Sequence, residues 1–147
     1  MKKLIFISSL IITFVCIIVT GMNLYAKVEL EKLALSGYDA QLNTINHRIV
    51  ELNSTLEQDQ DLNNNQSNSI IISQINGELI NSRQSLYTLA VINKLINDDR
   101  FNQMDDYINR IITLTTQYLK SNNINSKEKI YEEIIVNIGY FNDLIDK

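Results

Sequence analysis

From residue 35 to residue 56 the apolar side chains recur at alternating steps of three and four: Leu35, Tyr38, Leu42, Ile45, Ile49, Leu52 and Leu56. In an α-helix that spacing lays them along one stripe, which a strand of period two would not do. A lone amphipathic helix is marginal in water, so the stripe requires a second apolar helix face, from this chain or from another copy.

Three further segments repeat the step. The second holds Ile72, Ile75, Leu79, Ser82, Leu86, Leu89, Asn93 and Ile96, widened by Ile71, Ala90 and Ile92. The third presents Met104, Tyr107, Ile111, Leu114 and Tyr118, and the fourth Tyr131, Ile134, Ile138, Phe141 and Ile145. Polar stretches at 63–69, 97–100 and 121–123 separate them, and such lengths are usual for helix connections. No proline interrupts any of the four. The first helix is expected over residues 28–60, ending where Asp59, Asp61 and an asparagine run oppose the helix dipole and favour local backbone bonding. Asn102 with Asp105, and Asn125 with Glu128, have the spacing of capping boxes for the third and fourth helices.

Residues 4–26 contain no charge, and Lys2 and Lys3 stand before them. The run is long enough to cross a hydrocarbon layer of roughly 30 Å, and it also has the basic start and apolar body of a signal peptide. Either way the lysine pair stays on the cytoplasmic side and the remaining chain is delivered outside it. If the run is retained, one helix can pass unbroken from lipid into the folded part, with Asn23 and Tyr25 near the interface. The predicted fold is therefore all-α: an N-terminal transmembrane or signal helix (1–26), followed by an antiparallel four-helix bundle (27–147) with long first and second helices. The shorter third and fourth helices are expected to leave part of the first hairpin's stripe for a partner.

Charge narrows the partners. The chain carries 13 basic and 17 acidic residues, and two of the basic ones precede the apolar run. An acidic domain without a Lys/Arg cluster is not built to neutralise phosphates, which argues against nucleic acid and against lying on anionic lipid. A homo-oligomer is a second candidate arrangement. However, the positions flanking the first stripe lack the Glu/Lys pattern of a parallel two-stranded coiled coil.

Residues for chemistry are scarce. His47 is the single histidine and falls on the side of the first helix away from the stripe. The residues after it do not form the setting expected of a phosphotransfer histidine. Cys16 is the single cysteine and lies inside the apolar run, so neither a disulfide nor a usual zinc set can form within the exported part. Paired acids at Asp98 with Asp99, Asp105 with Asp106, and Glu128 with Glu132 could join an oxygen-ligand metal site or act as an acid/base pair if the fold brings others near, but the first two pairs fit acidic helix starts. No cofactor, metal or catalytic residue is predicted. The expectation is a membrane-anchored extracytoplasmic helical module that binds another envelope or secreted protein, held in the membrane through residues 4–26 if these are uncleaved. The alternative is a cleaved periplasmic or secreted inhibitor or immunity-type protein that sets its acidic surface against the basic cleft of a toxin or hydrolase. The candidate contact residues are Tyr38, Leu42, Ile49, Leu56, Ile72, Asp98 and Asp99.

Overall fold

A computed structural model describes residues 2–61, 66–95 and 98–145. It contains four helices: α1 Lys2–Asp61, α2 Gln66–Ile92, α3 Asp99–Lys120 and α4 Ile124–Ile145. The apolar run and the first stripe lie on one unbroken helix of 60 residues.

The helices neighbour one another in the ring α1, α2, α3, α4 and back to α1. Side-chain contacts fix the directions. Asp59 near the end of α1 meets Tyr118 near the end of α3, while Arg100 at the start of α3 meets Leu144 at the end of α4. The bundle is accordingly up-down-up-down, the arrangement that short connections favour. Ile45, Ile49, Leu52 and Leu56 of α1, with Ile72, Leu79 and Leu86 of α2, are completely buried. Ile108 and Ile111 of α3, and Ile134 and Phe141 of α4, close the core from the other side. Each such side chain contributes about 1.5–3 kcal/mol relative to exposure, so these positions dominate the packing.

Several local expectations change. Leu35 is 48% exposed, and from residue 13 onward Ala34 is the first buried residue of α1. The reason is the approach of α2, whose Leu89 packs over Gly37 on the small-residue side of α1. The uncovered part of the hairpin is also not where the helix lengths suggested. Helices α3 and α4 reach both ends of the bundle, and the bare portion of α1 is its N-terminal part, where residues 13–33 are all exposed. Helix α2 begins at Gln66, inside the stretch expected to be turn, and residues 63–65 lie outside the described residues. Ile71 and Ile92, expected to broaden its stripe, are exposed, whereas Ala90 is buried.

The caps also sit earlier than expected. Asp98 caps α3, its Oδ1 accepting from the backbone N–H of Arg100 at 2.7 Å and of Phe101 at 3.3 Å. Asn102 lies one turn inside the helix. Asp105 instead receives both Arg83 donors at 2.7 Å, tying α3 to α2. At α4 the capping oxygen belongs to Asn123, which accepts from Asn125 and Ser126. A side-chain oxygen needs a free N–H two or three residues ahead, and each helix starts where the first such residue stands.

Candidate functional site

Two places depart from a plain apolar core. The first lies at the end where α1 leaves the bundle toward its apolar run. Tyr38 and Leu42 of α1, Phe101 and Met104 of α3, Leu95 after α2 and Ile145 of α4 surround a cavity of about 290 Å³. Tyr38 and Phe101 meet at 6.4 Å between ring centres, tilted by 50°, and Phe101 also touches Tyr87 at 6.2 Å. Such tilted contacts suit aromatic quadrupoles and keep the wall apolar.

Charges border this cavity. Asp39, Asp98 and Arg100 complete its lining. The Arg100 guanidinium donates to the Leu144 carbonyl at 2.6 and 3.0 Å and to that of Ile145 at 3.5 Å, so its positive charge is directed at the C-terminal end of α4. Asp98 uses Oδ1 for the cap of α3. Among the described residues no basic group forms an ion pair with Asp39 or Asp98. Burial raises the Tyr38 hydroxyl above its ordinary value; the Arg100 charge opposes this, and Asp98 and Asp39 add to it. The rim thus combines an apolar wall with carboxylates facing water.

The second place is at the opposite end. Tyr118 Oη donates to Asp59 Oδ2 at 2.8 Å, and Lys127 Nζ stands 3.9 Å from the same oxygen. Lys127 also lies over the Tyr118 ring, 4.8 Å from its centre. The Asp59 side chain is fully buried, and its Oδ1 has no hydrogen-bond partner among the described residues. Burial, then the bond to Asp59 and the charge it carries, raise the Tyr118 hydroxyl far above its ordinary range. This is a structural polar layer: the tyrosine stays protonated and donates to a carboxylate that a lysine also faces.

The predicted contact residues divide. Tyr38, Leu42 and Asp98 come together at the cavity. Asp99 is exposed in the first turn of α3 and does not line it. Ile49, Leu56 and Ile72 are wholly buried between helices of this chain, which makes them core and not partner surface. Sequence reading missed Phe101 as a wall residue, although it stands three residues before Met104 on the same face. It also missed Asp59, which continues the step of three from Leu56 into the core.

Among the described residues no group of three or more His, Cys, Asp or Glu is placed to hold a metal ion. Helix α1 alone among them is long and apolar enough to cross a membrane, a property that anchors and signal sequences share. No family model, curated protein or solved structure matches the chain. What is established is a small all-α protein with one apolar helix near its N-terminus.

Proposed function

We propose that this chain is an exported, non-catalytic helical module that binds another protein through the end of the bundle holding Tyr38, Leu42 and Asp98. The observation that carries this reading is the cavity itself: an apolar wall open to solvent, rimmed by carboxylates that no described basic group pairs with. A concave, mostly apolar pocket with a few polar groups at its mouth is the usual form of a binding site, and with two carboxylates against one guanidinium the rim favours a basic partner. With the apolar run removed, the released bundle would act as an inhibitor or immunity-type protein against a toxin or hydrolase with a basic cleft.

The unbroken course of α1 favours a second form in which the run is kept. In that form the bundle is anchored in the cytoplasmic membrane, outside the cytoplasm, and Tyr38 stands about 18 Å beyond Ala26 at 1.5 Å per residue. The two forms are separated by the mass of the mature protein and its release from membranes without detergent. Envelope pull-down with the tagged full chain tests the shared reading. One dominant protein partner is expected, released by high salt together with mild detergent. Recovery of no partner, with turnover of a small substrate by the purified chain, would replace binding with catalysis.

A further inference from the structure

The cavity suggests which part of a partner it receives. Its wall is aromatic and aliphatic, and its volume of about 290 Å³ is at the small end of what ligand pockets hold, which suits an inserted side chain more than a cofactor. Among the described residues the charges around it, two carboxylates and one guanidinium, are not balanced. Arg100 is bonded to the carbonyls that end α4, so its donors point toward that helix terminus. Asp39 is exposed, and the cap of α3 uses only Oδ1 of Asp98, so carboxylate oxygens remain available at the mouth.

We infer that this cavity takes one bulky apolar side chain of a protein partner, with an adjacent Lys or Arg of that partner held by Asp39 and Asp98. The inference rests on the binding-module reading and narrows it to a basic-apolar segment. The apolar group supplies most of the affinity by leaving water, and the neighbouring cation sets preference, because an exposed ion pair adds little by itself. An acidic neighbour meets two carboxylates against the one Arg100 guanidinium, whose Nε and Nη2 donors are already taken up by the α4 carbonyls, and is disfavoured.

A methionine signal reports on the site directly. The chain has three methionines, Met1, Met22 and Met104, and Met104 is the one in the bundle. Full-length protein labelled at the methionine methyls, in phosphatidylcholine nanodiscs, is titrated with N-acetyl-Phe-Lys-amide and, separately, N-acetyl-Phe-Glu-amide. The Met104 signal is expected to move saturably with both probes, with half-saturation about two- to fivefold lower for the lysine probe, the range an exposed charge pair allows. In Asp39→Asn with Asp98→Asn that preference disappears while the Met104 shift persists, since asparagine caps a helix as well as aspartate. A Met104 signal unmoved by either probe, or equal half-saturation in the unmodified chain, overturns the inference. Because the probes need no natural partner, a captured partner that leaves Met104 unmoved retains the binding reading and removes only this inference.

Discussion

Tyr118 and Asp59 meet across the diagonal of the bundle, linking α3 to α1 through a 2.8 Å hydrogen bond although these helices are not ring neighbours. The bond lies within a buried layer that also includes Lys127, so it connects three of the four helices. Apolar residues can slide past one another by a turn at modest cost; a buried carboxylate with a single hydroxyl donor cannot. The pair therefore helps fix the vertical register of α3 against α1. Replacing Tyr118 by Phe keeps the ring beneath Lys127 but removes the donor, leaving Asp59 more poorly satisfied. A loss of about 1–3 kcal/mol is expected in denaturant unfolding. A Tyr118→Phe chain as stable as the original would show that the bond contributes nothing net.

The same pair gives the bundle an alkaline limit. Folding raises the Tyr118 pKa, through burial first and Asp59 second, so the folded state holds the phenolic proton more tightly than the unfolded chain. Below about pH 10, the usual tyrosine value, both states are protonated and this group adds no pH dependence. Above it the unfolded chain releases the proton first, and stability falls as pH rises. The check is the slope of unfolding free energy between pH 9 and pH 11: it should be shallower in Tyr118→Phe. Equal slopes would place the alkaline sensitivity elsewhere.

Leu52 and Leu35 share a sequence pattern but not an environment. Leu52 is fully buried, while Leu35 is half exposed, on a face of α1 turned away from the Ala34 and Gly37 side that α2 covers. Leu52→Ala should cost about 2–5 kcal/mol from lost transfer energy and a residual cavity. Leu35→Ala should stay within about 0.5 kcal/mol. Comparable losses would mean that another surface covers Leu35, and sedimentation of the same samples would identify a second copy.

Asp98 tests where α3 begins. Asp98→Ala removes the acceptor for two backbone N–H groups and should cost about 0.5–2 kcal/mol, while Asp98→Asn should be nearly neutral. Asn102→Ala, at an exposed position inside the helix, should not destabilise. If Asn102 were the sensitive site, the first turn of α3 would be frayed and the wall residue Phe101 would lose its support.

Helix type and order were legible because Ile45, Ile49, Leu52 and Leu56 keep one period over several turns, and no strand pattern competes with it. Boundaries were less so. Asp98, Asn102, Asn123 and Asn125 all belong to residue types that cap helices, and only the position of free N–H groups in three dimensions selects among them. The site was half visible for a related reason. Tyr38 and Leu42 continue the stripe of α1, but Phe101 was read as lying before its helix, and a wall shared by four segments has no signature in any one of them. Asp59, being charged, reads in the sequence as the end of the stripe. Its burial depends on Tyr118 and Lys127, which are distant in sequence and supply what a lone carboxylate in a core would lack.

Gly77 provides a test of the bundle's outer surface that is independent of its core. It lies in the interior of α2, and an added Cβ would meet nothing within 4 Å. Glycine in a helix interior is less favourable than alanine by about 0.5–1 kcal/mol, because the unfolded chain has more freedom to lose. Gly77→Ala should therefore stabilise the protein by about that amount, with the midpoint of unfolding raised and its denaturant slope unchanged. At Gly37 the new methyl would stand 3.5 Å from Leu89, an ordinary contact, so Gly37→Ala should be stabilising or neutral. A loss at Gly77 with a gain at Gly37 would indicate that the face of α2 bearing Gly77 is covered by a second molecule in solution. Concentration-dependent unfolding of the Gly77→Ala chain would then measure that contact directly.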